Sequence, residues 1–442
     1  MGHRLYQHRS RCPQGDYGST PSGSQCPGSQ AGALLTTDNN LTGLPRLTVV
    51  IPSRSEPDPV FPLVALADCD RPDTSVAVIV VVNGSEEDED RDRLANVRAR
   101  DMLTAWVDDH RDLSFDVTVQ YHPRLPQRQA GVGLARRLGM DAACENLLCA
   151  TPKRPGIIAA LDADCRVAPN YLTALVEHFQ NYPKTGGASL YFEHPLDGLP
   201  PWHRAGIVGY ELFLRLYRQG LVYAGSPHAF HTVGSAMAVR ADVYRRLGGM
   251  NRRQAGEDFY FLQKVMAHGP FSDLTTTTVF PSPRISHRVP FGTGRAMGKW
   301  CEGDMEKFMS YDPRVFSDLR SFFGHIRELS QDLGAVFACS SPVLAQFLEQ
   351  QCFRQALEEL RANTASPDAF MKRFFVWFNP FRILKWVHFA TECYYPKIPV
   401  FQAASTLLGW LGGVSGGLPG TEEELLRLFR ERDRLGIGTH RG

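Results

Sequence analysis

Four short apolar runs, each closed by polar residues and parted from the next by enough chain for a helix or a turn, constrain this chain more than any other feature. LTVVIP starts at Leu47, VAVIVVV spans 76–82, FDVTVQY spans 115–121 and GIIAALDAD starts at Gly156. Such Val- and Ile-rich runs read as strands covered on both faces, because a strand wetted on one side would alternate apolar with polar residues. Residues 92–109 and 129–148 read as helices between them. Strand and helix in alternation predict an α/β fold with a doubly wound, mostly parallel sheet and helices on both faces. The pattern continues with a helix over 170–182, a strand over 187–192, a helix over 203–218 and a strand over 232–239.

Past about residue 301 the strand signals fade, and 301–442 reads as a helical C-terminal extension in which Thr421 and Glu424 are spaced as a capping box. Residues 1–44, rich in Gly, Ser, Gln and Pro, are expected to form a disordered leader. Lys and Arg number 48 against 47 Asp and Glu, a net charge of +1, so no basic field invites nucleic acid. The ten cysteines contain no C-x-x-C pair, which predicts neither a zinc site nor a disulfide framework and suits a reducing, cytoplasmic setting. No uncharged apolar stretch is long enough to cross a bilayer. Residues 372–390, KRFFVWFNPFRILKWVHFA, read as two short helices parted at Asn379-Pro380. They either pack on the rest of the protein, wall an acceptor site, or lie on a membrane as a peripheral contact.

Ligands of open α/β sheets bind beyond the carboxyl ends of the strands, which directs attention to the polar residues there. The first run ends in Pro52-Ser53-Arg54-Ser55-Glu56, the second in Asn83-Gly84-Ser85 and the fourth in Asp162-Ala163-Asp164. Residues two apart share a face of an extended chain, so Asp162 and Asp164 can look into one cleft. Adjacent carboxylates repel until a shared proton, a basic neighbour or a hard divalent cation resolves them; the same Asp-x-Asp also suits a plain turn. Farther on, Glu257 and Asp258 open a helix, where they could serve chemistry or simply complement the helix dipole.

Taken in order, IPSRSE at Ile51, VVNGS ending at Ser85, GVGLARRLG at Gly131, LDADC at Leu161 and AGED at Ala255 form a series that resembles the GT-A glycosyltransferases, family 2 in particular, over about residues 47–300. The chain departs from that family at Asn83, where an acid is common, in the acidic run Glu86–Asp90, and in lacking the Gln-x-x-Arg-Trp motif of processive synthases. The resemblance implies a GT-A domain over 45–300 that moves a hexose from a nucleotide-diphosphate donor to an acceptor hydroxyl, with inversion. It implies that Pro52, Arg54, Glu56 and Asn83 frame the donor's base and ribose and that Arg136 lies near its base or diphosphate. Asp162 would face the ribose or a metal-bound water, and Asp164, with His287, would bind Mn²⁺ or Mg²⁺. Asp258 would be the general base with Glu257 orienting the acceptor, and Gly292-Thr293-Gly294-Arg295 would wrap the diphosphate. The acceptor would be a glycan, a lipid-linked or a small-molecule hydroxyl, selected by loops at 193–202 and 223–230. A non-catalytic nucleotide-sugar-binding or scaffold protein of the same fold is the alternative.

Overall fold

The computed structural model describes residues 46–150, 155–251, 256–286, 292–303, 307–330, 340–413, 417 and 419–436. The expected leader at 1–44 and the candidate His287 lie outside the described residues. In chain order the elements of the sheet region are β1 (Leu47–Ser53), α1 (Phe61–Ala67), β2 (Val76–Ser85), α2 (Asp90–Asp109), β3 (Asp116–Leu125), α3 (Val132–Ala150), β4 (Ile157–Ala160), β5 (Arg166–Val167), α4 (Tyr171–Asn181), β6 (Gly187–Phe192), α5 (Pro201–Ala224), β7 (Met237–Arg240), α6 (Ala241–Arg246), α7 (Glu257–His268), β8 (Phe271–Phe280) and α8 (Thr293–Cys301). The remainder comprises β9 (Met309–Ser310), α9 (Arg314–Gly324), α10 (Ile326–Leu329), α11 (Pro342–Gln350), α12 (Phe353–Ala362), α13 (Pro367–Trp377), α14 (Pro380–Cys393), β10 (Ile398–Pro399), α15 (Val400–Trp410) and α16 (Glu422–Arg434).

The eight-stranded sheet runs β3-β2-β1-β4-β7-β6-β8-β5. Strands β3, β2, β1 and β4 are parallel, as the alternation of strand and helix requires. Beyond β4 the sheet becomes mixed: β7 runs antiparallel to both β4 and β6, β6 is parallel to β8, and β5 closes the edge antiparallel to β8. Consecutive residues of β1 explain why its sequence is apolar throughout. Val49 and Ile51 join Leu63, Leu103 and Leu175 on one face, while Val50 joins Met140, Tyr244 and Phe261 on the other. The expected strand at 232–239 is shorter than its apolar character suggests, since 232–235 lie outside the strand and line the cavity described below. The threonine-rich strand β8 has no counterpart in the sequence reading, because its FSDLTTTTVF carries neither a continuous apolar run nor a clean alternation.

A third apolar layer lies on the far side of α5, where Leu212 and Leu216 pack with Phe316, Phe322, Trp386, Leu407 and Phe429 of the C-terminal helices. Burying each such side chain contributes roughly 1.5–3 kcal/mol, so this layer welds the C-terminal helices to the sheet region. Most of the aromatic content of 372–390 is consumed here: Phe374, Phe378 and Trp386 are fully buried, and the Trp386 indole donates to the Val315 carbonyl at 3.0 Å. Asn379 caps α14, its side-chain oxygen accepting from the amides of Phe381 and Arg382 at 3.1 and 3.2 Å. The capping box of α16 is formed as its spacing predicts, with Glu424 N–H donating to Thr421 Oγ1 and Thr421 N–H to Glu424 Oε2, both at 3.2 Å. Among the described residues no helix is long and apolar enough to cross a membrane.

Candidate active site

At the carboxyl ends of β1, β2 and β4 opens a cavity of about 510 Å³. Its lining brings together Pro52 near the end of β1, Arg54 and Glu56 after it, Asn83 near the end of β2, Arg136 on α3, Asp162 and Asp164 after β4, and Glu257 and Asp258 at the start of α7. Of the candidates within the described residues, Arg295 alone is not part of that lining; it is half-buried on α8, one residue past the lining Gly294.

The two acidic stretches are joined by one shared cation. Arg136 is buried on α3, where one guanidinium nitrogen bonds Asp162 at 2.6 Å and another bonds Glu257. A planar fork with two separate donors can hold two carboxylates at once, which an ammonium on a single stem does less well. Gly234 makes room for it: a Cβ there would stand 2.7 Å from an Arg136 guanidinium nitrogen. Burial raises the Glu257 carboxyl, and Arg136 counters that rise. The Asp258 carboxyl is likewise raised by burial, against the opposing pull of Arg136 and of the Phe259 amide, which donates to Asp258 Oδ1 at 2.7 Å. Gly256, in the left-handed region at φ 69°, lets the chain turn sharply into α7 and present both acids.

Asp162 and Asp164 sit on a turn rather than on an extended strand, since the Cys165 amide closes onto the Asp162 carbonyl at 3.1 Å. Both still line the cavity, each with its own cation. Asp162 has Arg136, and Asp164 Oδ2 lies 2.9 Å from Nε of Arg284. Arg284 also grips both oxygens of Glu56 at 2.6 and 2.7 Å, so it ties the end of β1 to the end of β4. The sequence reading missed Arg284; the available signal was an arginine four residues beyond the end of β8, at the same rim.

The residues around Arg54 account for the acidic run that follows Asn83. Asp88 folds back, accepts from the Ser85 amide at 2.8 Å and pairs with Arg54, whose other nitrogen donates to the Ala130 carbonyl at 2.6 Å. Ser55 stands between Arg54 and Glu56 at φ 48°, a strained conformation for a non-glycine residue, and is held there by its amide bond to Asn96 at 2.7 Å. That turn sends the side chains on either side of it into the cavity. Asn83 is 1% exposed, and its side-chain nitrogen finds no hydrogen-bond partner among the described residues. A buried amide left unpaired costs about 1–3 kcal/mol.

Five carboxylates (Glu56, Asp162, Asp164, Glu257, Asp258) and three guanidiniums (Arg54, Arg136, Arg284) line the cavity. An anionic diphosphate entering this acidic space would be repelled unless a cation came with it. Among the described residues no group of three or more His, Cys, Asp and Glu is placed to hold a metal by itself. One or two carboxylates completed by substrate phosphates is, however, the usual donor set for a hard divalent ion, and Asp164 with Asp162 fits it.

Of the two acceptor loops expected from the sequence, residues 193–199 flank neighbouring clefts beside the cavity. The other turns away: Tyr223 stacks on Trp410, His228 bonds the Phe375 carbonyl at 3.0 Å and Phe230 packs on Phe271. The segment 223–230 thus anchors the C-terminal helices, because its rings lie at the far end of α5 from the cavity.

Residues 157–326 match the family described as glycosyl transferase family group 2. The match begins at β4 and takes in Asp162, Asp164, Glu257 and Asp258, while β1 to β3 lie before it. Over those residues the chain is thus similar to family 2 glycosyltransferases, and its eight-stranded sheet flanked by helices is the mostly parallel α/β architecture expected from the sequence. Among solved structures, residues 1–349 of Staphylococcus aureus TarS in complex with UDP-GlcNAc are 13% identical, with 88% of this chain and 92% of that one covered and a TM-score of 0.37. A mannosyltransferase from Pyrobaculum calidifontis in complex with GDP-Man and Mn²⁺ is 16% identical, with 79% and 87% covered and a TM-score of 0.35. No curated protein matches the chain.

Proposed function

We propose that the protein transfers a sugar from a nucleotide-diphosphate donor to an acceptor hydroxyl, by a single displacement with inversion. The observation that carries this reading is the convergence of the Asp-x-Asp turn and the Glu257–Asp258 helix start on one cavity, bridged by buried Arg136. In this reading the donor's base and ribose lie against Pro52, Arg54, Glu56 and Asn83, and the unpaired Asn83 amide is the group with most to gain from bonding them. Asp164, with Asp162, would hold Mn²⁺ or Mg²⁺; bound there, the cation neutralises charge building on the departing diphosphate. Arg284 would have to leave Asp164 as the donor arrives and could then turn toward the phosphates.

Asp258 takes the proton of the acceptor hydroxyl at its carboxylate as the new bond to the sugar forms. Its upward-shifted carboxyl makes it a stronger base than an exposed aspartate. Glu257, locked to Arg136, holds the start of α7 in place and does not compete for that proton. The sugar itself, a hexose in the reading from sequence, is selected by groups the donor meets beyond these residues.

The test is incubation of the full chain with a panel of nucleotide sugars and Mn²⁺, measuring release of nucleoside diphosphate and transfer to glycan acceptors. Activity with one donor that disappears in Asp258→Asn supports the reading. Donor binding without turnover under every condition would instead favour the non-catalytic alternative.

A further inference from the structure

The C-terminal helix α16 reaches the cavity wall through buried charges, although none of its residues line the cavity. Arg430 on α16 donates from Nε to Glu211 Oε1 at 2.8 Å, and from Nη2 to Glu211 Oε2 at 2.7 Å and the His194 carbonyl at 2.9 Å. Glu211 is fully buried on α5; burial raises its carboxyl, but Arg215, Arg430 and His194 outweigh that and hold it well below the ordinary range. It is therefore an acceptor only, and takes hydrogen bonds from the His194 amide at 2.8 Å and from His194 Nδ1 at 3.0 Å. Nδ1 of His194 thus faces Glu211, and its Nε2 lies 3.1 Å from the hydroxyl of Thr293. Thr293 opens α8 and lines the cavity between Gly292 and Gly294, and Tyr210 of α5 lines it too.

The same helix carries a second buried anchor. Asp433 accepts from Arg215 at 2.6 Å, Gln219 at 2.5 Å, Arg218 at 2.5 Å and His231 at 2.8 Å, and His231 leads directly into the lining residues Thr232 to Ser235. Apolar docking alone would not need this, since Leu425, Leu426 and Phe429 already bury a face of α16. Burying charges costs desolvation that their pairing at best offsets, so the network serves geometry more than net stability.

We propose that Arg430, Glu211 and His194 form a positioning relay by which α16 sets Thr293 and the Gly292–Gly294 turn, the wall that receives the donor's diphosphate. The inference rests on the donor reading above for what the turn binds, and on the hydrogen-bond chain alone for what sets the turn. None of the three residues is catalytic; each acts through Thr293.

The test uses the full chain and the variants Arg430→Met, Thr293→Val and their combination, with amide hydrogen exchange over 292–301 and the dissociation constants of UDP and GDP with Mn²⁺ as readouts. Loss of one relay bond should speed exchange at 292–301 and weaken the bound nucleotide, each about tenfold. The double variant should be no worse than the poorer single one, because both changes cut the same chain, and Thr293→Ser should recover wild-type values. Arg430→Met that speeds exchange in 422–434 and leaves 292–301 unchanged would overturn the relay, as would effects that multiply in the double variant. If the wild type binds neither nucleotide the donor reading fails, and the exchange data still decide the relay.

Discussion

Replacing Arg136 with methionine keeps most of the stem volume and removes the fork that joins the two acidic stretches. The size of the effect follows from the exposure of its partners. The Asp162 side chain is 38% exposed, so water screens the loss of that pair and little stability goes with it. Glu257 is 3% exposed and would be left buried beside Asp258 with no cation. Breaking a buried pair from one side typically costs about 3–5 kcal/mol, and at roughly 2–4 °C per kcal/mol for a domain of this order the melting temperature should fall by about 6–20 °C. The loss should also depend on pH. Without Arg136 the Glu257 carboxyl, already raised by burial, rises further above its unfolded value, so the folded state binds the proton more tightly than the unfolded one. Stability is then retained at low pH and lost as pH rises through the folded value. The gap in melting temperature between wild type and Arg136→Met should thus widen as pH rises above the ordinary carboxylate range in scanning calorimetry. A gap under about 3 °C, or one that does not change with pH, would mean that Glu257 is satisfied without Arg136 and the bridge is dispensable.

Asp258→Asn should lower the rate of transfer by about 10²–10⁴ while leaving donor affinity within a few-fold, which equilibrium binding alongside an activity assay will separate. Because burial raises the Asp258 carboxyl, kcat/KM in the wild type should fall as pH drops through that raised value, and the acid limb should lie above that of an exposed aspartate. Chelation by EDTA should remove turnover, and Asp164→Asn should shift the Mn²⁺ needed for half-maximal rate upward by about tenfold or more. Asp433 and Glu211 are held below the ordinary carboxylate range by their arginines and histidines, so their contribution to stability is present above about pH 4 and lost as pH falls below it. Asp433→Asn should flatten that acid decline in a pH series of melting curves.

The parallel half of the sheet was legible because each of its interior strands must be apolar on both faces, as the opposite destinations of Val49 and Val50 illustrate. The rim residues were legible for a related reason: a buried run must stop somewhere polar, and the stops at Arg54, Asn83 and Asp162 all open on one cavity. Strand β8 was not, since its threonines serve an edge-like mixed environment whose pairing with β6 and β5 is set far away in the chain. Arg284 escaped notice because its meaning lies in Glu56 and Asp164, 228 and 120 residues away by number. Glu211, Arg215 and Arg218 on α5 went unread, because three charges on a helix mean nothing special until that helix is seen to be buried along both sides. Asp88 explains the odd acidic run only once its carboxylate is seen to fold back on Arg54.

The layer that α5 shares with the C-terminal helices bears on how the protein can be dissected. A fragment ended near residue 300 would keep every motif of the cavity yet leave Leu212, Leu216 and their neighbours facing water, a bare greasy flank of the kind soluble monomers rarely tolerate. The span that bears the recognisable signatures is therefore shorter than the span that can fold, and attempts to produce the former alone should yield aggregated material.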